Sequence, residues 1–275
     1  MPSSNRHVAD MENEATLRLG VFLGLFTLFG ILEFLFPRRA RVQSQLRRWS
    51  TNWILLVIYS VVIRLMGLLA PVIVATGAAQ HAAAYGWGLF YMVDLPLWLE
   101  FTLAIIILDW AVWFQHLVTH KIPFLWRFHR VHHSDRDLDV SSAIRFHPVE
   151  IALSMLYKVA LVYLLGAPVL AVIIFEVILN GAAMFNHANI NLPKSLDRII
   201  RTVIVTPDMH RIHHSDIRTE HDSNYGFSVS IWDHIFRTFT AEPKGGHKEM
   251  TVGLRWQDDK TQELVWALKL PADKL

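Results

Sequence analysis

The chain has 275 residues, 53% of them hydrophobic and 18% charged, with a formal net charge of +2 when histidine is neutral. That charge is too small to argue for a nucleic-acid partner. The absence of cysteine excludes disulfides, thiolate metal sites and a cysteine nucleophile. What remains is a length suited to a single domain, read here as 1–275, and an excess of histidine, 15 residues in all.

The first sixteen residues are polar and mixed in charge, without the basic start and cleavage pattern of a secretory signal. Leu17–Phe36 therefore reads as a retained first span, with Glu33 near its end expected at the headgroup level. Further apolar stretches follow at Trp53–Thr76, Leu95–Val118, Ile151–Leu165 and Pro168–Phe185, and spanning a bilayer takes about 20 apolar residues as helix. The last two are short. Gly166–Ala167–Pro168 between them predicts a tight hairpin or re-entrant pair. Gly77–Asp94, weakly apolar and rich in Gly and Ala, carries no clear signal. The fold class expected is an all-α membrane protein, with about four transmembrane helices or hairpin equivalents under a histidine-rich helical cap.

Arg38, Arg39, Arg41, Arg47 and Arg48 fill the first loop, and an excess of arginine marks a cytoplasmic loop. Counting spans from there puts Lys121–Glu150 and everything after Phe185 on the cytoplasmic side. Every histidine-rich segment then shares one face of the membrane. The region 17–185 is the transmembrane part, with the first histidine boxes at 116–150, and 186–275 forms the cytoplasmic cap and tail.

His116 and His120 are four apart, which on a helix places both imidazoles on one face. His129, His132 and His133 form H-x-x-H-H, and His210, His213 and His214 repeat it within the echoing segments RFHRVHHS and DMHRIHHS. Eight imidazoles at ligand spacing are too many for one tetrahedral zinc, so two metals are the natural reading. A structural zinc pair stays open, whereas no H-E-x-x-H protease motif occurs. Iron is favoured because imidazole suits it and a neutral nitrogen site at a membrane face suits O2 activation beside hydrocarbon.

These boxes resemble the fatty acid hydroxylase/sterol desaturase family of integral membrane di-iron enzymes, marked by H-x-x-x-H, H-x-x-H-H and a later H-x-x-H-H. The resemblance extends through Asp109–Trp110, Arg145–Phe146–His147–Pro148, Asn186–His187–Ala188–Asn189, Asp222–Ser223–Asn224–Tyr225–Gly226, Trp232–Asp233 and Phe236–Arg237–Thr238–Phe239, over about residues 95–240. Arg237 departs from the pattern, since relatives often carry Gly in that stretch. The resemblance implies two non-haem irons held by the boxes, with His187 as a ninth ligand. It further implies O2-dependent hydroxylation or desaturation of a sterol, fatty acyl or related lipid. No flavin or nicotinamide glycine fingerprint appears, so a separate electron donor is expected.

Supporting roles are expected for three residues. Asp109, two turns before His116, is expected to orient a ligand imidazole. His147, before Pro148, is expected to give a supporting hydrogen bond, with ligation as the alternative. Asp208 either orients His210 or caps its helix. His7, His81, His221, His234 and His247 lack ligand spacing and read as surface or interfacial, and Trp110, Trp113, Trp126 and Phe128 as an interface belt. The rival class is a histidine-rich metal transporter or a haem-bearing electron carrier. A transporter should line a mid-span path with ionisable groups, and bis-histidine haem needs ligands facing each other across spans. Clustering at one face argues against both.

Overall fold

The structure is a computed structural model. It describes residues 3–256 and 259–273, and side chains from residue 14 onward outside the 257–258 gap; His7 lies outside the described side chains. Among the described residues, five helices are long and apolar enough to cross a membrane: Glu14–Leu35 within α1 (Ser3–Leu35), α2 (Gln45–Leu69), α4 (Leu97–Lys121), α6 (Pro148–Leu165) and α7 (Val169–His187). At a rise of 1.5 Å per residue they run about 27 to 37 Å, matched to a hydrocarbon layer of about 30 Å. They expose large apolar side chains outward, among them Phe34, Leu68, Leu69 and Trp98. A soluble protein would bury such a set; a bilayer covers it. No β-strand occurs among the described residues, only three isolated bridges.

The expected second stretch stops earlier than its hydropathy does. α2 ends at Leu69 because Pro71, lacking an N–H, cannot continue the ladder, and the chain restarts as α3 (Ala75–Tyr85) in the region that carried no clear signal. The expected hairpin is two full helices, α6 and α7. They part at Gly166, whose φ of 68° lies in the left-handed region that glycine adopts without strain. Gly88 packs onto this corner so closely that an added Cβ would lie 2.1 Å from the Gly166 nitrogen.

Small residues let the spans close up at this far end. Ala75, Ala78, Ala79, Ala104 and Ala171 pack with Leu108, Val162 and Phe175 in one core. A second core joins α1 and α7 at the near end through Phe26, Ala183 and Met184, with Val140, Ala143 and Ile144 from the loop after the second box. Above it sit the shorter helices α5 (Pro123–His133), α8 (Lys194–Ile200), α9 (Pro207–His213), α10 (Arg218–His221) and α11 (Ile231–Ile235). The tail elements α12 (Gly246–Glu249) and α13 (Leu264–Lys269) follow, and Leu254, Ala267 and Leu270 pack on Leu55 and Val131.

The arginine loop is fastened to this cap rather than left among headgroups. Arg48 is fully buried and donates to Asp135 at 2.7 and 2.8 Å and to Asp139 at 2.8 Å. Arg38 forks onto Asp208. Glu33 is likewise buried, not at the headgroup level: its carboxylate accepts from the Val140 and Asn189 amides at 3.0 and 3.1 Å and pairs with Arg41. The reason is that α1 ends under the cap, where unpaired amides need an acceptor.

Candidate metal centre

Nine buried histidines gather where the spans meet the cap, and they fall into two groups. Ring nitrogens of His116, His120, His129, His133 and His213 lie within 4.8 Å of one another, and so do those of His132, His187, His210 and His214. α4 supplies His116 and His120 from its last two turns, α5 supplies His129, His132 and His133, α7 ends on His187, and α9 with its C-cap residue supplies His210, His213 and His214. Each H-x-x-H-H segment therefore serves both groups. On one helical face, positions i and i+4 of the first box turn to one group and i+3 to the other.

Hydrogen bonds fix how the rings present themselves. A carbonyl oxygen only accepts, so Nδ1 must donate where it meets one. His116 donates to the Tyr225 carbonyl at 2.7 Å, His132 to that of Arg145 at 3.2 Å, His187 to that of Ala183 at 2.7 Å and His213 to that of Ser223 at 2.7 Å. His129 Nδ1 lies 2.6 Å from Glu150 Oε1. In the neutral ring this leaves Nε2 as a bare lone pair. Yet Nε2 of His116 and His129 face each other at 3.1 Å, and those of His132 and His187 at 3.0 Å. His210 Nε2 stands a further 3.0 Å from His187 Nε2.

Two lone pairs pointed together repel unless a cation lies between them. Protonating a ring is opposed, since burial and the neighbouring imidazoles hold His132, His133, His210, His213 and His214 well below the usual histidine range. Both ring nitrogens of His120 and of His214, and Nε2 of His133 and His213, have no hydrogen-bond partner. Buried polar atoms left this way cost stability unless something binds them. Ligands about 2.1 Å from one metal stand about 3.0 Å apart at right angles and about 3.4 Å apart at the tetrahedral angle. The observed separations suit the wider coordination sphere, so the residues fit a pair of transition-metal ions.

The loops behind the rings are built to hold them. Asp233 accepts from the Tyr225 and Gly226 amides at 2.9 and 2.8 Å, from Trp113 Nε1 at 3.0 Å and from the Thr238 hydroxyl at 2.6 Å, which fixes the carbonyl offered to His116. Asn224, at φ 52°, donates to the Met209 and Thr240 carbonyls, spanning the second box and the chain beyond. Arg237 sits at φ 58°, which explains why Gly suits that position. Arg145 is fully buried, donates to Val131, Asn52, Ser134 and Thr261, and turns its own carbonyl to His132.

Several sequence expectations need correction. Asp109 makes no hydrogen bond to an imidazole: its carboxylate accepts from Trp232 Nε1 at 2.8 Å, while His116 meets the Tyr225 carbonyl. Asp208 neither orients His210 nor caps α9. Thr206 is the cap, its hydroxyl accepting from Met209, and Asp208 is claimed by Arg38 and Arg211. His147 joins neither group; its Nδ1 accepts from the Val149 amide and caps α6. His247 is buried beside Asp208, not on the surface. His221 stacks on Trp126 at 5.5 Å and shares a small group with His120 and Asp222, while His234 is exposed and His81 packs among Tyr85, Trp87 and Tyr163. Trp113 is buried against Phe236 and Trp126 packs on His120 and His133, so neither belongs to an interface belt. Glu150 was missed, although its place in the first turn of a helix begun by His147–Pro148 was a signal.

A cavity of about 720 Å³ opens on the first group, where His116, His129 and Glu150 form part of its wall, and runs between the spans. Residues 101–238, half of the chain, match the family model described as fatty acid hydroxylase. The chain belongs to the fatty acid hydroxylase family. It is 33% identical over 192 residues to the ornithine lipid hydroxylase OlsE of Rhizobium tropici, covering 68% of this chain and 55% of that one. It is 27% identical over 166 residues to the human alkylglycerol monooxygenase, covering 58% and 35% respectively. With a cholesterol 25-hydroxylase-like protein of Danio rerio it shares 24% identity over 264 residues, 86% of this chain and 98% of that one. The chain thus spans about half of the first relative and about a third of the second. No solved structure matches it significantly.

Proposed function

We propose that this family member is an O2-dependent di-iron hydroxylase of a lipid-like substrate, with its histidine centre on the cytoplasmic face of the membrane. The observation that carries the reading is the pair of bare Nε2 contacts, His116 to His129 and His132 to His187, which call for one cation in each histidine group. The ligands proposed are His116, His120, His129, His133 and His213 for one ion and His132, His187, His210 and His214 for the other. Iron supplies O2 reduction and C–H oxidation when bound.

The chain's own residues position and exclude. Glu150 and the four carbonyls fix the tautomer and aim of five rings, an arrangement that raises ligand basicity. The cavity offers an apolar path from the bilayer to the first group, with Phe22, Leu56, Ile63 and Met155 on its walls, and keeps bulk water from the reacting C–H bond. The overall reaction joins C–H, O2, two electrons and two protons to give C–OH and water. The electrons come from a separate donor. Hydroxylation is favoured over desaturation because the relatives described above carry the names of hydroxylases and a monooxygenase. The whole chain 1–275 acts as one membrane-embedded domain.

The test is anaerobic reconstitution with ferrous iron, then exposure to isotopically labelled O2 with a reductant and a total lipid extract. Close to two irons per chain and one labelled oxygen atom in a lipid product are expected. One tightly held zinc, with no oxygen incorporated by the iron-loaded protein, overturns the assignment.

A further inference from the structure

The cavity does not end in hydrocarbon. On α6, Glu150, Ser154 and Lys158 recur every four residues and line one wall; on α7, Ala183, Asn180 and Glu176 line another. Helix rise places Lys158 about 12 Å from Glu150, and Glu176 about 16 Å from His187. At that depth Lys158 Nζ donates to Glu176 Oε1 at 2.7 Å and Arg18 Nη1 to Glu176 Oε2 at 2.6 Å. Arg18 also pairs with Glu14 at 2.9 Å and donates to Thr76 at 3.3 Å. Arg64 of α2 lines the same end of the cavity and makes no ion pair among the described residues.

The charges do not balance. Arg18, Lys158 and Arg64 face Glu176 and Glu14, which leaves one positive charge at this end of the cavity, on Arg64, an exposed side chain five residues before the end of α2. An ionisable group at membrane depth is costly and marks a functional site when it faces a cavity. Structural pairing alone would need Arg18, Lys158 and the two carboxylates, and Arg64 adds nothing to it. Between this end and the histidines the walls carry Phe22, Tyr59, Ile63, Met155 and Leu179, suited to a hydrocarbon segment.

We propose that the Arg64 end of the cavity binds the anionic head of the lipid substrate, a carboxylate or a phosphate, while its tail reaches the histidines. The proposal rests on the hydroxylase reading and names the substrate class for it. Arg64 supplies the charge the anion meets, and the Arg18–Glu176–Lys158 network holds the shape of the pocket around it. Guanidinium suits both heads because it offers paired donors to two oxygens.

The experiment measures equilibrium binding to the purified iron-loaded protein in dodecyl maltoside, under argon, with two matched pairs of probes. Oleate is compared with oleyl alcohol, and oleoyl lysophosphatidate with monoolein. The anionic member of at least one pair should bind about tenfold more tightly, as expected for hydrogen bonds to a charged group. Which pair discriminates identifies the head. The preference should collapse in Arg64→Gln, persist in Arg64→Lys, and fall in Asn180→Asp, which adds a negative charge to the same wall. No preference in the native protein, or a preference unchanged in both Arg64→Gln and Asn180→Asp, overturns the proposal. Binding needs no O2. Head preference together with no oxidation of any lipid by the iron-loaded protein, given air, a reductant and a total lipid extract, refutes the hydroxylase reading and leaves the head site standing, and oxidation without head preference does the reverse.

Discussion

Among the carboxylates of the described residues, Glu150 hydrogen-bonds a ring of the two histidine groups, His129, at 2.6 Å, while Asp222 stands farther off, 3.6 Å from His120. A charge-assisted bond of this kind holds the ring's aim and makes its free nitrogen a better donor to metal. Glu150→Gln keeps an acceptor but loses the charge, and Glu150→Leu loses both. Metal affinity or activity should drop by about 10–100-fold in the second and by less in the first. Asp109→Asn, which disturbs bonds to Trp232 and Ser228 and none to an imidazole, should leave metal content near native. Metal analysis and protein yield on the same samples check this; equal metal loss in Glu150→Leu and Asp109→Asn would refute the assignment. The ligand spacing was legible because helical periodicity alone brings i, i+3 and i+4 together. The partners of the rings were not, because Glu150, Tyr225, Arg145 and Ser223 reach them through tertiary packing that no spacing encodes.

The elements tell the same story in a coarser form. Hydropathy located the five spans, since each must present about 20 apolar residues to lipid, yet it overran α2 past Pro71 and left α3 unread, because alanine-rich helix is weak in hydropathy but strong in close packing. His247 of α12, expected at the surface or an interface, is buried. Burial keeps its imidazole below the usual histidine range, with Arg211 and Arg38 adding to the shift and Asp208 and Glu242 opposing it. The unfolded chain therefore takes up a proton that the folded chain resists. The stability tied to His247 is complete above about pH 6.5 and is lost as the pH falls below it. His247→Gln should flatten part of the decline in melting temperature between pH 7 and pH 5. Parallel pH profiles for the two proteins would show that the tail does not depend on this residue.

At the scale of the whole molecule, the arginine loop and both H-x-x-H-H segments meet at one end of the bundle. Arg48 holds Asp135 and Asp139 behind the first, and Arg38 holds Asp208 in the second. Cysteine labelling suits a chain with none of its own. Single cysteines at Gln43 and Thr219 should react with an impermeant reagent from the same side of sealed vesicles, and the excess of arginine predicts that this side is the cytoplasmic one. Labelling from opposite sides would break the topology.

The division of the histidines carries a consequence in time. The first group draws on α4 and α5 but waits for His213, and the second takes one ring from α5 and one from α7 before His210 and His214 arrive. As the chain leaves the ribosome, neither set is whole until the second box has been made, after the last span, α7, has been synthesised. Completing the spans and completing the histidine groups are thus separate steps. Until the second box is made the first group holds four of its five rings and the second two of its four, and closing either falls to the segment that carries that box.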